Sequence, residues 1–220
     1  MNITHRSRKI ILTLAGLWLL LYASFALFSP PLLDDADSVH AEVAREMVAR
    51  HDWITLYANG IRYLEKAPLM YWSMAASFTL FGPQDWAARL PLAIATLALF
   101  LVVYATGRRL FASDTAGFYA ALILLTSFGI FIYTRIIIPD VVVCLWLSLA
   151  MLLFWMSLEQ AQPSCWTAWG FAAACALNVL TKGLIGVVFR SPLSLSSYCS
   201  IGIWGTCGAG TRFRACWSSW

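Results

Sequence analysis

DDADSVHAEVAREMVARHDWITLYANGIRYLEKAPLMYW, residues 34–72, is the one long polar passage in a largely apolar chain. It holds Asp34, Asp35, Asp37, Glu42, Glu46, Asp52 and Glu65, seven of the 11 carboxylates, together with Arg45, Arg50, Arg62 and Lys66. The apolar runs on either side are near the length of about 20 residues needed to cross a bilayer. Charge held at a membrane is costly and tends to be functional, so this connection is where chemistry is expected.

The passage has local order of its own. Asp37 or Ser38 can N-cap a helix that runs to about Arg50. Val39, Val43 and Met47 recur on one face. Glu42, Arg45, Glu46 and Arg50 take the other, with Glu46 and Arg50 a favourable i,i+4 pair. Asn59-Gly60 is a turn signal. Pro68 suits the first turn of a second helix, which Gly82-Pro83 stops. That helix, residues 69–81, is apolar nearly all round and too short to span. It is expected along the membrane interface, with Tyr71 and Trp72 at headgroup level.

Outward from the passage, Arg6, Arg8 and Lys9 precede an apolar run over residues 10–28. A signal-peptide core is shorter, about 7–15 residues, so this run reads as a retained first span with its basic end inside. Further spans are expected at residues 87–105, 115–133, 141–158 and 165–180. Arg89 at the outer end of the second can snorkel. Arg108 and Arg109 lie at its inner end, and Asp114 can cap the third span. This alternation brings Asp34, Asp35, Asp37, Glu65, Lys66, Arg135, Asp140 and Lys182 to one outer face.

Composition excludes other classes. The chain is 60% hydrophobic and 12% charged, unlike a soluble domain. Its net charge of +4 is small and scattered, so no nucleic-acid partner is expected. No C-x-x-C pair occurs, and Cys144, Cys165 and Cys175 read as small hydrophobes. His40 and His51 read as surface groups. From Arg190 onward serine, glycine and tryptophan crowd in and periodicity is lost. The expectation is a membrane region at 1–189, with its catalytic loop at 29–85, and an aberrant tail at 190–220 arising from a reading-frame shift near Phe189.

The polar passage resembles the first periplasmic loop of the membrane glycosyltransferases of family 39, which include lipid A aminoarabinose transferases and protein O-mannosyltransferases. The resemblance is carried by the acidic cluster, Ala41-Glu42 with Ala44-Arg45-Glu46-Met47, His51-Asp52-Trp53, and Arg62-Tyr63-Leu64-Glu65-Lys66-Ala67-Pro68 with Tyr71-Trp72. The stretch from Arg135 to Asp140 resembles the family's second loop, and Thr181-Lys182-Gly183 a later motif. Two departures stand out. Ala36-Asp37 occupy the places of the family's Asp-Glu, and Ala67 is inserted into its Glu-Lys-Pro.

The resemblance implies an all-α, polytopic GT-C fold with a helical first periplasmic loop, in a bacterial-type inner membrane. The amino terminus would be cytoplasmic and the loop extracytoplasmic. It implies transfer of a sugar from a polyprenyl phosphate to a lipid A-like or protein acceptor. Such a reaction needs a base for the acceptor and cations for the departing phosphate. Asp34, Asp35, Asp37 and Asp140 are the candidate carboxylates. Lys66, Arg135 and Lys182 are the candidate phosphate partners, and Glu65 resembles a residue that holds a divalent metal. The competing expectations are an inactive remnant and a transporter fragment. The latter would show charges at the bilayer midplane and an inverted repeat, neither of which is visible.

Overall fold

The computed structural model describes residues 5–28, 31–32, 35–159 and 164–183. The tail at 190–220, Asp34 and the Asp35 side chain lie outside the described residues. The architecture is all-α apart from one two-stranded hairpin. The first span is a continuous helical rod: α1 (His5–Trp18), a π-helical turn (Leu19–Ala23) and α2 (Ser24–Phe28). Its apolar 23 residues reach about 34 Å, enough for a hydrocarbon core of about 30 Å.

The polar passage folds as α3 (Asp35–Arg50), strands β1 (Tyr57–Ala58) and β2 (Ile61–Arg62), and α4 (Leu69–Phe81). Helix α3 begins two residues before Asp37, so Asp37 is not its cap. His51 takes φ 54° after the last turn, and the Asp52 carboxylate accepts the N–H groups of Ile54 and Thr55. These two residues reverse the chain into the hairpin, a local role that explains His51-Asp52-Trp53 without a ligand. Asn59 and Gly60 have φ 52° and 79°, the two positive values that a type I′ hairpin turn requires. Glu46 ties this hairpin to α3. It accepts the Gly60 N–H and Arg50 Nε, each at 2.7 Å, and the Arg50 guanidinium lies 4.4 Å above the Tyr57 ring. The expected Glu46–Arg50 pair is present, but Glu46 is buried, not solvated.

Helices α3 and α4 pack through Val43, Ala44 and Met47 against Met70, Tyr71, Met74 and Phe78, with Ala87, Ala88 and Ile137 closing the cluster. Burying each large side chain contributes on the order of 1.5–3 kcal/mol. The exposed Arg45–Glu42 pair at 2.7 Å adds about 0–1 kcal/mol, so the apolar stripe sets the packing. Tyr71 is 1% exposed, which overturns its expected place at the headgroups. Trp72 donates its indole N–H to the Trp53 carbonyl at 2.6 Å.

Helix α5 (Asp85–Phe111) is 27 residues long and contains Pro91. Proline has no N–H, so the Ala87 carbonyl loses its normal partner. The Ser77 hydroxyl of α4 donates to that carbonyl at 2.6 Å, docking α4 onto the start of α5. Ser77→Ala is therefore expected to cost about 1–3 kcal/mol, the penalty of an unsatisfied buried acceptor. In a Pro91→Ala background the restored N–H can take over, so the same change should cost measurably less. Chemical unfolding of the four proteins of this cycle in detergent checks it.

The expected third span is broken into α6 (Asp114–Leu125) and α7 (Phe128–Tyr133). Thr126 turns its hydroxyl onto the Leu122 carbonyl at 2.9 Å, and the buried Tyr22 hydroxyl donates to the Leu125 carbonyl. Both contacts satisfy carbonyls that end a helix. Ser113, not Asp114, is the N-cap of α6. Helices α5 and α6 cross closely: a Cβ at Gly117 would lie 2.6 Å from the Tyr104 carbonyl oxygen. Helices α8 (Asp140–Glu159) and α9 (Cys165–Lys182) complete the described fold.

Among the described residues, three helices are long and apolar enough to cross a membrane: Arg6–Phe28, Asp85–Phe111 and Asp140–Glu159. Five spans were expected. The α6–α7 break shortens one helix, and α9 turns Thr167, Asn178 and Thr181 inward, yet both segments still run from the basic end, at Asp114 and Glu159, to the opposite end, at Arg135 and Lys182. Charges gather at two ends of this bundle. At one end Arg6 donates to Thr115, Ser7 donates to Asp114, and Arg108 pairs with Asp114 at 2.8 Å. Arg109 pairs with Glu159 there at 2.6 Å. The polar passage covers the other end.

Candidate active site

The site is built where α3, the α4 entry, the 134–139 connection and the end of α9 meet. Asp37 lies on the buried stripe of α3 and is 5% exposed. One carboxylate oxygen accepts the Ile137 N–H at 2.6 Å, and the other lies 3.9 Å from the Arg89 guanidinium. Arg89 is itself 7% exposed, so it does not snorkel. The pair joins the first loop, the second span and the second loop. A carboxylate so engaged is a clamp first, and any proton transfer from it would have to disturb these bonds.

Lys66 stands at the mouth of a narrow cleft lined by His40, Ala67, Met70, Tyr71, Pro139 and Thr181. Its ammonium lies 2.8 Å from Glu65, and the Tyr63 hydroxyl donates to the other Glu65 oxygen at 3.2 Å. The Glu65 carboxylate raises the Lys66 pKa above its ordinary value, and Lys66 in turn lowers that of Glu65. The lysine therefore stays charged at neutral pH. The sign follows from both shifts. The pair is intact between the two ordinary values, is lost in acid as pH falls through the lowered Glu65 value, and is lost in base as pH rises through the raised Lys66 value. Glu65→Gln should accordingly speed acetylation of the Lys66 amine at about pH 9, read by mass spectrometry.

Asp140 opens α8 and pairs with Lys182, the last residue of α9. Both side chains are part-exposed. Lys182, expected as a phosphate partner, is engaged with Asp140. Arg135 is placed differently. Its guanidinium lies 3.9 Å from the Phe25 ring and 4.3 Å from the Phe131 ring, and donates to the Leu21 carbonyl at 3.0 Å. Burial lowers its pKa from the ordinary value. It braces the end of the first span and is absent from the cleft lining.

The structure thus brings Lys66 to the cleft and Asp140 with Lys182 to the same end, while Asp37 and Arg135 serve as braces. Glu65 is occupied by Lys66 and Tyr63, and among the described residues no three His, Cys, Asp or Glu side chains converge. No step is derived through a metal.

Two residues of the site were missed in the sequence. His40 is 6% exposed, with Nδ1 on the Ala36 carbonyl and its ring stacked on Tyr71 at a centroid distance of 5.6 Å and an interplanar angle of 8°. Both line the cleft. The available signal was positional: Asp37, His40, Ala41, Ala44 and Met47 share one helical stripe, and a polar residue on a stripe of buried small residues needs a partner.

Comparison with known proteins bears on the family and the fold. The family model described as dolichyl-phosphate-mannose-protein mannosyltransferase matches residues 65–193. A curated relative from Edwardsiella ictaluri (strain 93-146), named undecaprenyl phosphate-alpha-4-amino-4-deoxy-L-arabinose arabinosyl transferase, is 34% identical over 151 residues. The match covers 67% of this chain and 27% of the relative. A second, from Proteus mirabilis (strain HI4320) and named as arabinosyl transferase 2 of the same type, is 29% identical, with 88% and 36% covered. The chain spans about a third of the length of the curated relatives it matches. The fold is that of ArnT from Cupriavidus metallidurans. The apo crystal structure matches with a TM-score of 0.80 at 23% identity, covering 96% of this chain and 39% of that one. The structure bound to undecaprenyl phosphate gives 0.78 at 24% identity, covering 96% and 38%. By a family match over more than half its length, and with its all-α membrane fold, this chain belongs to the dolichyl-phosphate-mannose-protein mannosyltransferase family.

Proposed function

We propose that this chain forms the donor-binding part of a membrane glycosyltransferase that moves a sugar from a polyprenyl phosphate carrier to a lipid or protein acceptor. The observation that carries the reading is Lys66. Its ammonium is kept charged by Glu65 at the mouth of the cleft, at the end of the bundle that also holds Asp140 and Lys182. The relatives named as undecaprenyl phosphate aminoarabinose arabinosyl transferases support a pentose donor on this carrier.

In transfer, the bond between the anomeric carbon and the phosphate oxygen breaks. Its electron pair stays with the phosphate, and the acceptor oxygen bonds to the carbon. A fixed ammonium beside the phosphate stabilises the charge that develops there. Asp140, oriented by Lys182, is the carboxylate placed to take a proton from a hydroxyl acceptor.

The same reading orients the chain in a bacterial inner membrane. The end with Arg6, Arg8, Lys9, Arg108 and Arg109 faces the cytoplasm, as the positive-inside rule requires, and the cleft faces outward. Binding of undecaprenyl phosphate to the 220-residue chain in nanodiscs is the test. Saturable binding that Lys66→Met weakens supports the reading. Binding indifferent to that change contradicts it.

A further inference from the structure

Two polar atoms of the cleft lining have no hydrogen-bond partner among the described residues. His40 Nε2 and the Tyr71 hydroxyl are both buried and make no hydrogen bond among the described residues. The Tyr63 hydroxyl interacts with Tyr71 but outside hydrogen-bonding geometry. An unsatisfied buried polar atom costs about 1–3 kcal/mol, so two in one cleft call for a ligand that supplies their partners. Lys66, unbranched and part-exposed, is the lining residue able to swing aside and open the cleft.

The chemistry of the missing partner can be read from His40. Its Nδ1 faces the Ala36 carbonyl, which only accepts, so in the neutral ring the hydrogen sits on Nδ1. Nε2 is then a bare acceptor and wants an O–H or N–H donor. The Tyr71 hydroxyl can donate or accept. The two rings stack near-parallel, and both residues line the cleft. A phosphate alone has no hydrogen to offer Nε2 when fully ionised, whereas a sugar carries several. Around this pair stand Lys66, Glu65 and Tyr63 from the α4 entry, with Thr181 of α9 in the lining and Asp140 of α8 within electrostatic reach of Lys66.

We infer that His40 Nε2 and the Tyr71 hydroxyl recognise the sugar of the donor, accepting from and bonding to its hydroxyl or amino groups, while Lys66 holds the phosphate. This rests on the donor-site reading of Lys66 and adds to it the residues that select a glycosylated carrier over a bare one.

The test compares binding of undecaprenyl phosphate with that of the same carrier bearing 4-amino-4-deoxy-L-arabinose, using the 220-residue chain in nanodiscs. His40→Asn keeps an amide near Nδ1 and removes Nε2. Tyr71→Phe keeps the ring and removes the hydroxyl. Each should weaken the glycosylated carrier roughly tenfold and leave the bare carrier within about twofold. His40→Gln, whose amide reaches the Nε2 position, should recover part of the loss. Because Tyr71→Phe deletes an unsatisfied buried hydroxyl, its Tm should not fall, whereas a purely structural role would lower it. Equal loss for both carriers, or no loss for either, overturns the inference while leaving Lys66 intact if Lys66→Met weakens both carriers. Failure of Lys66→Met to weaken either removes the donor-site reading itself, and a wild-type chain that binds neither carrier overturns both.

Discussion

Asp37→Ala will destabilise the protein by about 3–5 kcal/mol, because it removes a buried carboxylate that faces a buried guanidinium and accepts a buried N–H. The carboxylate is enclosed with Arg89, and the Ile137 N–H, on a residue that is 1% exposed, has it as acceptor. Removing it leaves a guanidinium and an amide N–H without that acceptor in an interior that water does not reach freely. Asp37→Asn should cost less, since an amide oxygen can still accept from Ile137 while the charge for Arg89 is lost. Asp37→Ala combined with Arg89→Leu should recover part of the loss, because a pair replaced together by apolar groups leaves no stranded charge. Unfolding in detergent, followed by tryptophan fluorescence, ranks the four proteins. Equal stability of Asp37→Ala and wild type would show that the clamp bears no load. Loss of transfer on changing Asp37 would thus not by itself identify a base.

The second large effect is at Lys66. Lys66→Met keeps the long stem and removes only the charge. A charged hydrogen bond to phosphate contributes on the order of 1.5–3 kcal/mol, so binding of undecaprenyl phosphate should weaken roughly 10- to 100-fold. Arg45 is the proper control. Its side chain is exposed and pairs with Glu42 one turn away, so Arg45→Met should change binding by less than about twofold. Arg50, which looks equally solvated in the sequence, is a poor control: it holds Glu46 and covers Tyr57, so replacing it loosens the hairpin. Lys66→Arg should restore binding more fully than turnover, since the charge returns in a broader, planar shape. Equal effects of Lys66→Met and Arg45→Met would make Lys66 one interfacial charge among several.

What the sequence disclosed was local, and what it concealed was distant. Asn59-Gly60, Pro68 and Gly82 act through their own backbone angles, and the turn, helix start and helix stop lie where those residues stand. The Glu46–Arg50 pair is four residues apart and was equally legible. Asp37 looked like a cap because its partner Ile137 lies 100 residues away. Arg89 looked like a snorkelling cation because its partner sits on another helix. His40 and Tyr71 were hidden for the same reason: their stacking is made by the packing of α3 on α4. The break between α6 and α7 depends in part on the Tyr22 hydroxyl, 103 residues from its acceptor. Periodicity reports which face is buried, not what that face meets. The cysteines Cys144 and Cys165 are exposed on the bundle surface, so the free thiols are less packed than their apolar context suggested.

The central claim is that the hairpin and cleft end of the bundle face out of the cell and the basic end faces in. Single cysteines at Ile61 and Ala112 test it most directly, in a chain whose natural cysteines are replaced. Ile61 is exposed on the hairpin, and Ala112, in the α5–α6 turn, already has φ 48°, so Ala112→Cys adds no new backbone strain. An impermeant thiol reagent applied to intact cells should label Ile61→Cys and not Ala112→Cys, which should react only after the membrane is opened. Labelling of Ala112→Cys from outside, or of both positions from the same side, would contradict the account.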